Sequence, residues 1–270
     1  MSTPRALTVA GSDSGGGAGI QADIKTFQEL GAFGMSALTA VTVQNTLGVQ
    51  GVYPLTPAAV AEQMEAVGKD LGVDAVKTGM LFSADIIEAV ADKIESFGWR
   101  SVVVDPVMIA KGGAELLRRD AVEALKRKLL PLALIVTPNI PEAEELAGMR
   151  IVTMGDRREA ALRIAEYGVN MVVIKGGHAP ETEEAVDLMY DGAAFTRLAG
   201  RRIATRHTHG TGCTFSAAIT AELAKGVPVP EAVHTARLYI QAAIEDSLEL
   251  GGGSGPTNHW AYGRRKESVR

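Results

Sequence analysis

The stretch ADIIEAVADKIESFGWRSVVVDP, residues 84–106, contains one repeating unit of the fold: a helix, a turn and a buried strand. Residues 84–97 have a helical pattern that stops before Gly98, and glycine is the residue most often found just after a helix. Residues 101–105 then contain the continuous β-branched run of residues 102–104, which is typical of a strand covered on both faces of its sheet. We therefore predict a helix over 84–97 followed by a strand over 101–105.

The same alternation of helix and strand continues through the whole chain. No Pro/Ser-rich linker and no internal repeat interrupts it, so we predict one domain over 1–270 with a core at about 6–260. Continuous apolar strands that alternate with helices predict an α/β fold, with a mostly parallel sheet between two layers of helices. Further strands are predicted over 7–10, 38–43, 75–77, 133–137 and 171–175, with a hairpin over 185–198. Further helices are predicted over 21–30, 57–71, 114–130, 141–147, 156–167, 214–225 and 230–248.

Composition narrows the functional classes. Of 270 residues, 46% are hydrophobic and 22% charged, and the net charge of −5 gives no reason to expect nucleic acid. No run approaches the ~20 apolar residues that span a bilayer, and the first apolar run breaks at Gly11, unlike a signal peptide. A single cysteine excludes an internal disulfide and is typical of a reducing compartment. We expect a cytoplasmic protein without nucleic-acid or membrane partners, with residues 264–266 in a solvated tail.

Chemically distinctive residues follow most of the predicted strands. In parallel α/β sheets, ligands bind beyond the carboxyl ends of the strands, where these loops begin. The sequence therefore predicts one ligand site along this edge of the sheet. Its residues would come from the segments 11–13, 44–45, 78–80, 105–108, 138–142 and 176–178.

The first of these loops, GSDSGGGAG at residues 11–19, contains five glycines. The spacing of Gly17, Gly19 and Ala22 loosely matches a dinucleotide-binding fingerprint, which also needs an acidic residue about 20 positions later. Residues 31–60 contain no Asp, Glu, Lys or Arg, so a nicotinamide cofactor is disfavoured. The phosphate-binding sequence GxxxxGK[ST] is also absent. We expect instead that this loop lets the backbone approach a ligand closely.

Uncharged residues predict a wall for a flat ring. Val43, Gln44, Met80 and Val107 offer apolar surface with one amide, which can both donate and accept hydrogen bonds. This combination fits the edge of a neutral heteroaromatic ring. A glutamine that only caps a loop is the alternative interpretation of Gln44.

Residues 138–145, PNIPEAEE, allow two interpretations. Acidic residues in the first turn of a helix stabilise it through the helix dipole. Asn139 and Glu142 are also three residues apart, so with Asp105 they could hold Mg²⁺ through water molecules. Lys175, at the end of an apolar strand, could bind phosphate or extend to the surface.

The only cysteine lies in RHTHGTGCTFSAA, residues 206–218. Gly210 and Gly212 permit a tight turn, and the helix that follows aims its first N–H groups and its positive dipole end at one point. This geometry suits a phosphate or a developing oxyanion. The pKa of the Cys213 thiol is expected to fall below ~8.5 at such a position, so that it could deprotonate a hydroxyl group. A small buried apolar residue is the alternative interpretation.

Six motifs together resemble those of a known family. The chain is similar to the ribokinase-like small-molecule kinases, and within them to the hydroxymethylpyrimidine/phosphomethylpyrimidine kinases of thiamine biosynthesis, over almost its whole length. The resemblance implies a three-layer α/β/α sandwich, usually a homodimer, that uses ATP and Mg²⁺ to phosphorylate 4-amino-5-hydroxymethyl-2-methylpyrimidine and then its monophosphate. The motifs are AGSDSGGGAGIQAD (10–23), TVQNT (42–46), KTGM (77–80), DPVM (105–108), TPN (137–139) and HTHGTGC (207–213).

The resemblance also implies roles for individual residues. The pyrimidine would be bound by Gly11, Asp23, Gln44, Met80 and Val107. The nucleotide would be bound by Asn139, Glu142, Lys175 and Thr208, with Mg²⁺ near Asp105 and Glu142. Gly210, Thr211 and Gly212 would form the anion hole, and Cys213 would be the catalytic base.

One position leaves the substrate open. Most sugar kinases of the superfamily carry aspartate where this chain has Cys213, whereas one branch of pyridoxal kinases shares the cysteine. Pyridoxal kinase activity is therefore an alternative, and a pyrimidine-binding protein without catalysis is a second one.

Overall fold

The computed structural model describes residues 3–108, 116–117, 119–177 and 184–267. Nine strands in these residues belong to one sheet. The strands are β1 (Arg5–Asp13), β2 (Phe33–Asn45), β3 (Gly48–Pro54), β4 (Ala75–Thr78), β5 (Val102–Val104), β6 (Ile135–Val136), β7 (Met171–Ile174), β8 (Glu184–Tyr190) and β9 (Phe195–Arg201). The helices are α1 (Gly19–Glu29), α2 (Pro57–Asp70), α3 (Ala84–Phe97), α4 (Arg119–Ala124), α5 (Ile140–Ala147), α6 (Met154–Ala165), α7 (Thr211–Ala224), α8 (Val229–Glu245) and α9 (Ala261–Glu267).

The sheet is parallel in its centre and antiparallel at its edges. Its strand order is β3-β2-β1-β4-β5-β6-β7-β8-β9. Neighbours from β2 to β7 in this order pair in parallel, whereas β2–β3, β7–β8 and β8–β9 are antiparallel pairs. The chain builds outward from β1 in both directions, since β1 lies between β2 and β4. Such a switch point opens a crevice at the carboxyl ends of the strands, where ligands of α/β proteins bind.

Helices cover both faces of the sheet and bury two apolar cores. One core joins the sheet to α2 through α6, and Met64 and Ile87 are fully buried in it. The other joins the sheet to α1, α7 and α8, with Phe27 and Val233 fully buried. Helix α7 is buried along residues 214–223, which explains why its apolar residues follow no single stripe.

Most predicted elements are confirmed, and α3 has the predicted bounds, with Gly98 after it in the left-handed conformation at φ 66°. Strand β3 was not predicted, because Gly48, Gly51 and Pro54 break the apolar alternation that identifies a strand. The predicted helix over 114–130 begins outside the described residues. In the part that is described, α4 continues into a π-helical turn over Leu125–Leu129 and a tight 3₁₀ turn over Leu130–Leu132.

The carboxyl-terminal segment is helical. Residues 264–266, expected in a solvated tail, lie in α9, where Arg264 and Lys266 are exposed and Arg265 is half-buried. There the Arg265 guanidinium donates to Glu245 and Asp246 near the end of α8. Within the described residues, no helix is both long enough and apolar enough to cross a membrane.

Candidate active site

The turn at residues 210–212 brings two glycine-containing loops into contact. Gly210 precedes α7 and has a φ of 80°, and a Cβ atom there would lie 1.8 Å from the carbonyl oxygen of Gly17. Only glycine permits both this conformation and this approach. The Thr211 hydroxyl donates to the Thr208 carbonyl oxygen at 3.1 Å, which closes the turn. The first N–H groups of α7, which begins at Thr211 rather than at 214, therefore face the carboxyl edge of the sheet.

Cys213 lies in the first turn of α7 and is partly exposed. Burial by the surrounding protein raises the pKa of its thiol to about 11, although the Lys77 ammonium and the Gly19 N–H oppose this rise. The expectation of a lowered thiol pKa is therefore wrong. Dehydration of a thiolate between the carboxylates of Asp23 and Asp105 outweighs the helix terminus.

A cation lies beside the same turn. Lys175 Nζ donates to Asp105 Oδ1 at 2.8 Å, and Asp105 is only 2% exposed. A Cβ atom on Gly212 would lie 3.2 Å from Lys175 Nζ, so the glycine leaves room for the ammonium group at the start of α7. Burial opposes ionisation of Asp105, but Lys175 and Lys77 hold the pKa of its carboxyl group below the ordinary value.

Asn139 and Glu142 form a reciprocal cap on α5. The Glu142 N–H donates to Asn139 Oδ1 at 2.9 Å, and the Asn139 N–H donates to Glu142 Oε2 at 2.8 Å. The capping interpretation of this segment is thus confirmed, and the Met108 N–H is a second backbone donor to the Glu142 carboxylate. Burial raises the pKa of Glu142 to about 7, with Lys175 opposing the rise and Asp105 adding to it.

Three of the residues expected at a ring lie together. A Cβ atom on Gly11 would lie 3.0 Å from the Met80 sulfur, and Val107 packs against the small apolar cluster that contains Met80. The Gln44 side chain accepts a hydrogen bond from the Thr42 hydroxyl at 3.0 Å. Val43 does not share this wall, since its side chain is 46% exposed on the β2–β3 surface.

Asp23 lies behind the wall rather than in it, which corrects its expected position. Its side chain has no exposed surface and forms an ion pair with Lys77 at 2.8 Å. The Thr8 hydroxyl donates to the same carboxylate at 2.6 Å. Sequence reasoning missed Lys77 as a residue of this site. Its signal was a lysine in the middle of a short apolar strand, a position where lysine is rare unless paired.

The glycine-rich loop also differs from expectation, because its amides bind a carboxylate of its own. Asp13 accepts hydrogen bonds from the N–H groups of Gly15 at 2.8 Å, Gly17 at 3.1 Å and Ala18 at 2.9 Å. These donors are therefore not directed at a ligand. The glycines instead allow the loops to approach each other closely, as at Gly17 and Gly210.

The model of the phosphomethylpyrimidine kinase family matches residues 13–258. The chain belongs to this family.

Similar members of the family and of its neighbours match the chain over nearly its whole length. The chain is 56% identical to hydroxymethylpyrimidine/phosphomethylpyrimidine kinase of Bacillus subtilis, over 98% of this chain and 97% of that protein. It is 46% identical to a pyridoxine kinase of the same organism, over 99% of this chain and all of that protein. The structure of Staphylococcus aureus pyridoxal kinase in complex with AMP-PCP and pyridoxal is also similar, with a TM-score of 0.91 at 39% identity, covering 98% of this chain and 96% of that one. The predicted ribokinase-like α/β/α sandwich is confirmed.

Proposed function

We propose that this phosphomethylpyrimidine kinase family member transfers the γ-phosphoryl group of ATP to the hydroxymethyl oxygen of 4-amino-5-hydroxymethyl-2-methylpyrimidine, and then phosphorylates the monophosphate. The observation that carries the proposal is the placement of Lys175 Nζ beside Gly212, at the N-terminus of the buried helix α7. An ammonium group and free helix N–H groups at one point suit a phosphoryl group in transfer. Identity of 56% over nearly the full length supports the choice of substrate.

The proposed binding residues lie at two ends of the crevice, one for the pyrimidine and one for the nucleotide. Gly11, Gln44, Met80 and Val107 bind the pyrimidine ring, and Asp23 supports this wall from behind through Lys77. Asn139, Glu142, Lys175 and Thr208 surround the nucleotide phosphates, and the turn at residues 210–212 stabilises the transferred group. Phosphoryl transfer depends mainly on such positioning and charge stabilisation.

Cys213 serves as the base for the first transfer. The acceptor hydroxyl must lose its proton, and the thiol is the group at the start of α7 that can receive it once ionised. Lys77 favours the thiolate, because its ammonium group acts on Cys213 through a buried medium. The second acceptor is a phosphate that is already ionised, so the second transfer needs no such base.

Asp105 and Glu142 fit a hydrated Mg²⁺ ion. No group of three His, Cys, Asp or Glu residues capable of holding a metal occurs in the described part of the chain. Mg²⁺ usually binds through one or two carboxylates together with water and substrate phosphates, so two carboxylates suffice. When bound, the ion neutralises charge on the phosphates. In the free protein, Lys175 holds Asp105 in place and the cap to Asn139 holds Glu142.

A pyridoxal kinase is the second candidate, because relatives at 46% and 39% identity carry pyridoxine or pyridoxal kinase names. Purified protein with Mg·ATP is to be assayed for ADP release on the pyrimidine, on its monophosphate and on pyridoxal. We expect a higher kcat/KM for the pyrimidine and diphosphate as the final product. A higher kcat/KM for pyridoxal would favour the second candidate. No ADP release with any of the three would favour a binding protein without catalysis.

We also propose that the chain is a single cytoplasmic domain that forms a homodimer through β2 and β3. Val41, Val43 and Tyr53 are 42%, 46% and 67% exposed. The register pairs Val41 with Tyr53, so apolar side chains cluster at the antiparallel edge of the sheet. Contiguous exposed apolar surface of this kind is typical of a protein interface.

A further inference from the structure

The carboxylate of Asp13 contacts His209 as well as the amides of its own loop. Besides the three backbone N–H groups, Asp13 Oδ2 lies 2.8 Å from Nε2 of His209, and Asp13 is only 3% exposed. Burial opposes charge on this carboxyl group, but the hydrogen bonds from His209 and from the loop amides outweigh burial and hold its pKa below the ordinary value. An ionised carboxylate at this distance requires a proton on Nε2, since two lone pairs would repel each other.

His209 is itself held from the other side by the carboxyl-terminal segment. Its N–H donates to the Gly255 carbonyl oxygen at 3.0 Å, and its carbonyl oxygen accepts from the Thr257 N–H at 3.4 Å. The ring packs on Gly17, where a Cβ atom would lie 2.6 Å from Cδ2 of His209. Because Gly210 follows directly in sequence, the position of the His209 backbone sets the position of the turn at residues 210–212.

The same imidazole nitrogen faces the ring-binding amide. Gln44 Nε2 lies 3.4 Å from His209 Nε2. A nitrogen that donates to Asp13 cannot also accept from Gln44, so this contact leaves the Gln44 amide hydrogens for another acceptor. The Gln44 oxygen lies 3.0 Å from the Thr42 hydroxyl, which shares its single proton with the Ser12 carbonyl oxygen at 2.9 Å, and this contact favours the amide orientation with Nε2 towards His209. Gln44 is therefore set to donate to a ring nitrogen.

We propose that Asp13 and His209 are positioning residues, which hold the turn at residues 210–212 at the distance that phosphoryl transfer needs and keep Gln44 as a hydrogen-bond donor to the substrate ring. This inference rests on the proposed pyrimidine kinase activity. The two residues act through Gly210 on one side and through Gln44 on the other.

The tautomer of His209 provides a direct test in the unmodified protein. Long-range ¹H–¹⁵N spectra of the full chain labelled in histidine, assigned with His209→Gln, are expected to show Nε2 protonated at neutral pH, with and without the pyrimidine. An unprotonated Nε2 would overturn the proposal. This readout does not depend on turnover. Failure of the proposed function would appear separately, as unmodified protein that releases no ADP with the pyrimidine.

Kinetics test the consequence of the tautomer. His209→Leu is expected to raise KM for the pyrimidine and lower kcat, each about tenfold, as for loss of a hydrogen bond to a charged group. KM for ATP should change little, because Lys175 is untouched. His209→Gln can still donate to Asp13 and should regain most of both losses. The exposed His234 on α8 supplies the matched control, His234→Leu. Equal kinetics of His209→Leu and His209→Gln, or an unchanged KM for the pyrimidine, would refute the proposal.

Discussion

Lys77 and Asp23 form an ion pair with no exposed surface, in which Nζ lies 2.8 Å from Oδ2. Burial lowers the pKa of a lysine, but Asp23 reverses this for Lys77 and raises its pKa, whereas burial raises the pKa of Asp23 although Lys77 opposes the rise. The pair lies close enough to Cys213, the proposed base, to act on its thiol electrostatically. Its Lys77 end favours the Cys213 thiolate, and its Asp23 end opposes it.

Breaking this pair should destabilise the fold. Lys77→Met leaves the Asp23 carboxylate buried without a cation, and we expect a loss of about 3–5 kcal/mol in the free energy of unfolding. Urea unfolding measures this. Lys77→Met combined with Asp23→Asn leaves no buried charge, and most of the loss should be regained. Additive losses in the double variant would show that charge pairing is not the cause.

Cys213→Ala should separate the two phosphoryl transfers. The first transfer should slow by about 10²-fold or more, the usual contribution of a positioned base, whereas the second should slow much less. Rates are to be measured with the pyrimidine and with its monophosphate as separate substrates. Since the thiol pKa is about 11 in the free protein, the first transfer should also accelerate between pH 7 and pH 9. Equal losses in both transfers would assign Cys213 to the anion site rather than to proton transfer.

Glu142→Gln should change how stability depends on pH. Burial raises the pKa of Glu142 from 4.5 to about 7, so in this interval the unfolded chain ionises first. The Glu142 contribution is therefore fully present below pH 4.5 and is lost as pH rises through 7, by about 3 kcal/mol in all. Glutamine keeps the cap on α5 and should remove this slope. Urea unfolding at pH 5 and pH 8 tests it, and an unchanged slope would assign the pH dependence to other groups.

Two glycines of the turn at residues 210–212 should respond differently to alanine. Gly212→Ala lies within α7, where alanine is a better helix former, so the melting temperature should hold or rise. Its methyl group would crowd Lys175 Nζ at 3.2 Å, and kcat should fall about tenfold. Gly210→Ala meets the Gly17 carbonyl oxygen at 1.8 Å and should lower the melting temperature by several degrees. Full activity in Gly212→Ala would argue against Lys175 as the phosphate-binding cation.

Val43→Asp should dissociate the proposed homodimer. Light scattering should give twice the chain mass of 28.4 kDa for the unmodified protein and 28.4 kDa for the variant. A charge buried without a partner disfavours the interface. The matched control is Leu238→Asp, at an exposed position on α8, and this variant should remain dimeric. A monomer in the unmodified protein would exclude this surface as a stable interface.

The sequence predicts the layers of this fold well, because each core element follows a clear rule. Helix α3 has a helical apolar pattern and a glycine stop, and β5 is a continuous β-branched run. Strand β3 escapes prediction because its partner β2, rather than its own residues, makes it a strand. Helix α9 was not predicted for a similar reason, since its Arg265 donates a hydrogen bond to Glu245 of α8, far away in sequence.

The site is predicted less completely, because residue type alone does not reveal what a group faces. Lys175 and Asp105 do meet at one edge, as strand ends of a parallel sheet should. Asp23 and Asp13 were harder to place, since their partners Lys77 and His209 lie 54 and 196 residues away in sequence. The direction of the Cys213 pKa shift depends first on burial of the thiol and then on the charges of Lys77, Asp23 and Asp105, none of which a local sequence pattern shows.

The burial of α7 from residue 214 to residue 223 has a consequence for motion. A helix packed on every side cannot slide or tilt without disrupting the core, and its amides should exchange with solvent only through global unfolding. The turn at its N-terminus therefore behaves as a fixed reference point during turnover. Any closure around the substrates has to be carried by the loops that meet this turn, while the N-terminal end of the helix stays still.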